Sequence, residues 1–353
     1  MSEHTLLQVR NLNVSFFTHA GDVQAVRGVS WHVREKETIA IVGESGCGKT
    51  VSIQTVMGLL TSPGRIVDGE IIFKGENLVG APRESIRRLQ GNEMSMIFQD
   101  PLTYLNPTMR VGEQIAEAYR RHNTSTRAEA RSHVLDMMKL ISFPEPEQNM
   151  RRYPFQLSGG MRQRIMVAMA LICGPSVLFA DEPTTALDVT IQAQIIELMN
   201  SLKHRLDAAI VLITHDLGVV ANMAQRIYVM YAGRIVEYGD ARTIFRNPKH
   251  PYTWGLLHSV PRIDSEKKEH LQFIPGTPPD LIAPPPGCPF APRCRFAMNI
   301  CADQPPTDFT FEEPGREPSA QPLSGHYASC WLYREDAQIA YADIIERKGS
   351  DYA

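Results

Sequence analysis

Hydrophobic positions along the chain fall into short, dense blocks separated by polar stretches. Thr38–Val42, Met94–Phe98, Val177–Ala180 and Ala209–Thr214 are apolar almost without interruption over the length of one strand. That is the pattern of strands covered on both faces, as in a parallel sheet. Helical spacing alternates with these blocks. Thr126 and Glu129 stand three apart, as in a capping box, and Val134, Met138 and Ile141 behind them share one helix face. Ser158 opens another helix whose apolar face includes Ile165, Met169 and Ile172. The alternation from Leu6 to Gly239 predicts an α/β layer fold, closed by a hairpin around Ala232-Gly233.

After Gly239 the pattern changes. His250-Pro251-Tyr252-Thr253 opens a short amphipathic segment, and Ser265 to His270 is a solvated charge run. Pro275, Pro278, Pro279 and the run Pro284-Pro285-Pro286 predict extended chain. The stretch from Glu335 predicts an exposed helical tail. The division expected is therefore 1–239, 240–334 and 335–353.

Composition narrows the classes. The 353 residues carry a formal net charge of -3, so there is no basic surface for a sequence-independent grip on nucleic acid. No apolar run approaches the ~20 residues that span a bilayer, and Met1-Ser2-Glu3-His4 does not begin a secretory signal. A soluble protein made in the cytosol is expected. Of the cysteines, Cys47 and Cys173 stand alone, whereas Cys288, Cys294, Cys301 and Cys330 crowd together. In a reducing compartment such a group reads as a metal or cofactor site before it reads as disulfides.

The strand ends carry the chemistry. Gly43-Glu44-Ser45-Gly46-Cys47-Gly48-Lys49-Thr50 follows an apolar strand and precedes a helical pattern, the context of a phosphate-binding P-loop. Its glycines let successive N–H groups point at phosphate, with the positive end of the following helix behind them. Lys49 is placed to bridge the β- and γ-phosphates and Thr50 to ligate Mg²⁺; Val51 continues the loop into the helix. Val177–Glu182 is a buried strand ending in two carboxylates, with Asp181 suited to Mg²⁺ and Glu182 to polarise an attacking water. Gln99 and His215 end two further apolar strands, Gln99 as a second Mg²⁺ and water contact, His215 as a contact to the γ-phosphate. Ligands of open α/β sheets lie at the carboxyl ends of strands, which is where all of these fall. Leu157-Ser158-Gly159-Gly160-Met161 puts a serine and two glycines at another helix N-terminus, a second anion-binding arrangement far from the first in sequence. Cys47, a thiol among loop amides at a helix start, is expected to favour the thiolate and to react with alkylating reagents.

Taken in order and spacing, Lys49, Gln99, Leu157 to Gly160, Asp181-Glu182, Ala186-Leu187-Asp188 and His215 resemble the ABC ATPases. The resemblance implies an ABC nucleotide-binding domain with a RecA-like core, a helical subdomain over about 100–160 and an antiparallel β subdomain. It implies a head-to-tail dimer in which Ser158, Gly159 and Gly160 of one subunit complete the ATP site of the other, with Asp188 communicating across the interface. It also implies an aromatic stacked on adenine, for which Phe16 is the candidate and Phe17 the neighbouring alternative. Phe98-Gln99-Asp100-Pro101 through Asn106-Pro107, Asp181 through Thr190, and His250-Pro251-Tyr252-Thr253 resemble more narrowly the dipeptide/oligopeptide importer branch, and within it the D-type ATPases. The branch implies a related second ATPase subunit, two transmembrane permease subunits, an extracytoplasmic solute-binding protein, and a peripheral position on the cytoplasmic face of the cell membrane. Tyr104 stands where that branch has a small residue.

The spacing Cys288-(x5)-Cys294-(x6)-Cys301-(x28)-Cys330 is looser than zinc knuckles, and four thiolates also suit an iron–sulfur cluster. The branch implies a [4Fe–4S] cluster at these positions, within a small C-terminal Cys-rich accessory domain; Zn²⁺ is the alternative. Drug or lipid exporter motors, soluble ABC ATPases acting on nucleic acid, and simple P-loop kinases or GTPases are the rival classes. They are disfavoured by the absence of membrane helices, of coiled-coil insertions with a basic surface, and of any reason to keep Leu157 to Met161, respectively.

Overall fold

A computed structural model of the chain describes residues 5–184, 188–259, 274–311 and 325–340. The charge run Ser265 to His270, the Ala186-Leu187 pair and the tail beyond 340 lie outside the described residues. In chain order the strands are β1 (Thr5–Thr18), β2 (Gly21–Arg34), β3 (Thr38–Val42), β4 (Gly64–Phe73), β5 (Glu76–Asn77), β6 (Met94–Ile97), β7 (Val177–Asp181), β8 (Ala209–Thr214), β9 (Arg226–Tyr231), β10 (Arg234–Asp240), β11 (Asp308–Phe311) and β12 (His326–Ser329). The chain forms two compact units, one built on Phe73–Thr214 with Met1–Leu7 and Val33–Thr38, the other on Gln8–His32, Ile39–Ile72 and His215–Ala353.

In the first unit β6, β7 and β8 run parallel, with Met94 opposite Val177 and Val177 opposite Ala209. All three strands are buried along their whole length, as their uninterrupted apolar runs require. Helices pack beside them. The helix Arg127–Leu140 starts at Thr126 with the expected capping box, and Val134 and Met138 are fully buried. The helix Gly159–Leu171 is buried on more than the expected stripe, since Met166, Val167 and Ala168 are inside along with Ile165.

In the second unit β3 pairs parallel with β9, and β9 turns back into β10. Ala232 and Gly233 at that turn have φ of 46° and 79°. Two successive left-handed residues make the tight hairpin whose twist matches its strands. Strands β2, β1 and β4 lie side by side in a separate sheet.

The hairpin does not close this unit. Strand β10 continues the sheet through β12 to β11, with Glu237 opposite Ala328 and Phe309 opposite Ala328 on the other side. The C-terminal region is therefore joined to this sheet by its strands, and a separate Cys-rich domain finds no support there. The region after Gly239 gathers an apolar cluster of its own around Trp254, Leu332 and Tyr333, and its strands extend the sheet that holds β3 and β9. The segment at His250 is also less amphipathic than its sequence suggests: in the helix Pro251–His258, Pro251 through Gly255 are all buried. At the far end, Ala337 in the short helix Glu335–Ala340 is buried, so the start of the tail is docked.

Candidate active site

The P-loop lies in the second unit, between β3 and the helix Lys49–Val56. Two of its glycines are compulsory. At Gly48, φ is 103° and an added Cβ would stand 2.3 Å from the Ala25 carbonyl oxygen; at Gly43, it would stand 2.1 Å from the Met230 carbonyl oxygen. Strands β2 and β9 therefore press on the loop from either side, where only a glycine backbone fits. Lys49 is 5 % exposed. Its Nζ donates to the carbonyls of Gly43 at 2.8 Å and Glu44 at 2.9 Å, so the ammonium is held folded over the loop.

Residues from the C-terminal region hold the same loop. The Glu44 N–H donates to the Tyr252 hydroxyl at 2.8 Å, and the Glu44 carboxylate receives both Nη atoms of Arg293 at 2.6 and 2.9 Å. Arg293 also donates to Tyr231 Oη at 3.2 Å and to the Pro275 carbonyl at 2.8 Å. Burial alone would lower its pKa, but the hydrogen bonds to Glu44 and Tyr231 more than offset that and hold it charged. Sequence reasoning missed both partners. His250-Pro251-Tyr252 was conspicuous only as a shared motif, and Arg293 looks like any basic residue beside a cysteine.

Cys47 corrects an expectation. The thiol is 4 % exposed, and burial raises its pKa despite the opposing charge of Lys49. Desolvation outweighs the helix N-terminus, so the protonated thiol is the resting form. Phe16 is half-buried, with the would-be Cβ of Gly64 only 2.9 Å from its ring. Phe17 is 43 % exposed and carries Arg65 over its ring at 5.6 Å. His215 follows β8 and is exposed in the second unit.

The first unit holds the carboxylates. Asp181 ends β7 and is 5 % exposed. Glu182 follows with a left-handed φ of 46°, its N–H donating to the Ile213 carbonyl at 2.8 Å. That turn swings the side chain out of the strand direction, and Glu182 Oε2 accepts from Gln99 Nε2 at 2.8 Å. A non-glycine residue held in this region is a local cost that clusters at functional sites. Strand β6 ends at Ile97, two residues before Gln99, one position earlier than the apolar run suggests. Beyond it, the Phe98 and Tyr104 rings stack at 3.9 Å, which gives the unusual Tyr104 an intramolecular partner.

The second anion-binding arrangement is also in the first unit. Ser158 caps the helix Gly159–Leu171, its Oγ accepting from the Met161 N–H at 3.3 Å. Ser158 and Gly159 are exposed, whereas Gly160 is buried against Ile191, whose Cγ2 would lie 2.7 Å from an added Cβ. Ile191 sits in the first turn of the helix Val189–Leu206, where its N–H donates to Asp188 Oδ1 at 3.0 Å. Gly160 and Asp188 are thus brought to adjoining helix starts.

The four clustered cysteines share one region of the second unit. The Cys288 N–H donates to the Cys301 carbonyl at 2.7 Å, and Cys330 packs with Trp254, Leu332 and Tyr333. Burial, aided by the charge of neighbouring cysteines in the set, raises the pKa of Cys288 to about 11 and that of Cys294 to about 12. Four thiols are a donor set suited to iron–sulfur ligation. Among the described residues, however, no three His, Cys, Asp or Glu side chains gather as one metal ion requires, so neither metal expectation is met by a preformed site.

Residues 26–185 match the family model described as ABC transporter, and residues 236–301 the one described as oligopeptide/dipeptide transporter, C-terminal region. The dipeptide transport ATP-binding protein DppD of Bacillus subtilis (strain 168) is 51% identical over 336 residues, covering 95% of this chain and 97% of the relative. The oligopeptide transport ATP-binding protein OppD of Escherichia coli (strain K12) is 50% identical over 312 residues, 88% of this chain and 91% of the relative. Among solved structures, a dimeric ATP-binding cassette in a post-hydrolysis state with ADP and Pi superposes with a TM-score of 0.61 at 23% identity, over 67% of this chain and 99% of that one, a likeness of fold. With a P-loop lysine folded over its own backbone and a carboxylate poised at the end of a buried strand, the chain is an ATPase, and it belongs to the ATP-binding subunits of the dipeptide and oligopeptide family of ABC transporters.

Proposed function

We propose that the protein is the motor subunit of a peptide importer, coupling ATP hydrolysis to uptake through separate membrane subunits. The observation that carries this reading is the Gln99–Glu182 contact at 2.8 Å, which joins the hydrolytic carboxylate to a segment leading to exposed apolar side chains. Leu102 is 61% exposed and Tyr104 49%. They offer a surface through which two permease subunits could feel the state of Glu182. Relatives of similar length named for dipeptide and oligopeptide transport support peptides as cargo. A related second ATPase subunit, an extracytoplasmic solute-binding protein and a peripheral membrane position complete the assembly.

In this reading the loop amides and Lys49 hold the phosphates of ATP, with Phe16 or Phe17 against adenine. Thr50, Gln99 and Asp181 offer only oxygen-type donors, the set that suits Mg²⁺. Bound there, Mg²⁺ would neutralise phosphate charge. Glu182 takes a proton from water as the water oxygen bonds to the γ-phosphorus and the bond to the β–γ bridging oxygen breaks, leaving ADP and phosphate. His215 supports the γ-phosphate. The exposed Ser158 and Gly159 with buried Gly160 reach the nucleotide of the partner ATPase, and Asp188 at the adjoining helix start carries the contact across. Glu182→Gln should bind ATP with near-wild-type affinity and lose hydrolysis by about 10²-fold or more, the scale of a lost general base. Normal turnover in that variant would refute the assignment.

Cys288, Cys294, Cys301 and Cys330 are read as ligands of a [4Fe–4S] cluster in preference to Zn²⁺. The looseness of their spacing compared with zinc knuckles supports it, as does the nearness of Cys288, Cys294 and Cys301 to Cys330. Iron and acid-labile sulfide in anaerobically purified protein test it. Stoichiometric zinc without sulfide would overturn it.

A further inference from the structure

A cavity of about 630 Å³ lies in the second unit, and it is lined by β1, β2, β10 and residues of the C-terminal region, none of them from the loop that holds Lys49. Two arginines face it. Arg27 on β2 and Arg234 on β10 are neighbours through their backbones, because the Arg27 N–H donates to the Gly233 carbonyl at 2.8 Å. Arg27 Nη1 and Arg234 Nε are both buried without a hydrogen-bond acceptor. Neither arginine forms an ion pair among the described residues, in contrast to Arg10 on the same wall, which reaches Glu70 at 3.5 Å and Gln8 at 2.8 Å. Asp308, the carboxylate on the wall, already accepts from the Ser329 hydroxyl.

Two cationic groups side by side with orphaned donors are a standing cost to the fold. A buried donor left unmade costs about 1–3 kcal/mol, and like charges add to it. In keeping with this, burial and then the charge of Arg234 lower the Arg27 pKa to about 10. Such an arrangement is relieved by an oxyanion supplied from outside. A single carboxylate charge neutralises one guanidinium. A phosphate group, carrying about two charges and three acceptor oxygens, neutralises both and can bridge them with the fork geometry that arginine favours. The remaining wall, with Ser30, Tyr327, His250, Cys288 and apolar Val9 and Val236, leaves room for more than the phosphate itself. The volume lies within the range of small-ligand sites, about 300–1,000 Å³.

We propose that this cavity binds a phosphate-bearing small molecule through Arg27 and Arg234. The site stands close to the nucleotide loop in covalent and hydrogen-bonded terms. Gly233, which accepts from Arg27, donates its own N–H to the Cys47 carbonyl at 2.9 Å. A ligand drawing on Arg27 therefore acts on a strand pair that presses on the P-loop. The inference does not depend on what the transporter carries.

The test is calorimetric titration of the full chain saturated with a non-hydrolysable ATP analogue, so that the P-loop phosphate positions are filled. Inorganic phosphate and glycerol 3-phosphate are the two probes. One saturable site tighter than about 1 mM is expected, weakened at least tenfold in Arg27→Gln and in Arg234→Gln and unchanged in Arg10→Gln. Tighter binding of the ester identifies a phosphorylated metabolite as the occupant; equal binding identifies free phosphate. Should a glutamine variant fail to fold, Arg234→Lys keeps one charge and loses the fork, and is expected to bind more weakly than wild type. Absence of saturable binding, equal binding in wild type and Arg234→Lys, or an equal loss in Arg10→Gln would overturn the proposal.

Discussion

Removing the Arg293 guanidinium tests how far the C-terminal region holds the nucleotide loop. Arg293→Met keeps the length of the side chain and deletes its charge and donors. Arg293 is 5% exposed at its side chain and Glu44 is 26%, and they are joined by two hydrogen bonds at 2.6 and 2.9 Å. Breaking a buried pair by removing one partner costs about 3–5 kcal/mol. Glu44 retains some access to water, so the lower end, about 3 kcal/mol, is expected. Glu44→Gln leaves the guanidinium more deeply stranded and should cost a similar amount. The double variant loses both charges and should be less destabilised than the sum of the singles by about 2 kcal/mol. Equilibrium urea unfolding of the four proteins, followed by fluorescence of the buried Trp254, reads this coupling directly. ATP affinity should fall in Arg293→Met as well, since the freed carboxylate then stands beside incoming phosphates. A coupling below about 0.5 kcal/mol would mean that the contact contributes nothing to the loop.

Three further outcomes follow from particular contacts. Gly48→Ala should abolish ATP binding and lower stability by about 3 kcal/mol or more, measured by nucleotide titration and melting, because its Cβ would meet the Ala25 carbonyl oxygen at 2.3 Å. His250 is fully enclosed and burial lowers its pKa from 6.5 to about 3, so the fold keeps it neutral while the unfolded chain takes up a proton. Stability should therefore be intact above about pH 6.5 and fall as pH drops below it, by about 2 kcal/mol between pH 7 and pH 5; His250→Asn, which keeps an acceptor for the Tyr252 N–H, should flatten that part of the pH–stability curve. Cys47 should be alkylated far more slowly than an unfolded control peptide at neutral pH, as read by mass spectrometry, and rapid labelling of the folded protein would contradict the burial that holds it protonated.

Much of this was legible in sequence where local rules suffice. The strands β3, β7 and β8 follow from apolar runs too short for helices, and the capping box at Thr126 formed as its spacing required. The P-loop was legible because its glycines have a purpose that spacing expresses. What escaped was long-range. Glu44 meets Tyr252 across 208 positions and Arg293 across 249, and no periodicity connects such residues. Gly48 is required by the loop's own curl, with a φ of 103°, and also by the approach of Ala25, which only the structure reveals. The thiolate expectation for Cys47 failed for a related reason: the helix start is a local feature, while the burial that outweighs it is supplied by distant strands. The C-terminal region read as separate because its composition shifts at Gly239, and composition says nothing of an open sheet edge waiting to be extended.

Because Tyr252 and Arg293 lie so far downstream of Glu44, the nucleotide loop is among the last parts of this unit to be finished during translation. Domains tend to fold as they leave the ribosome, N-terminal parts first. Here the P-loop emerges early and waits for its two clamps, so a chain that ends before Arg293 should hold the loop less firmly than the full chain does. The order of synthesis thus places the completion of the loop after the segment that carries Arg293.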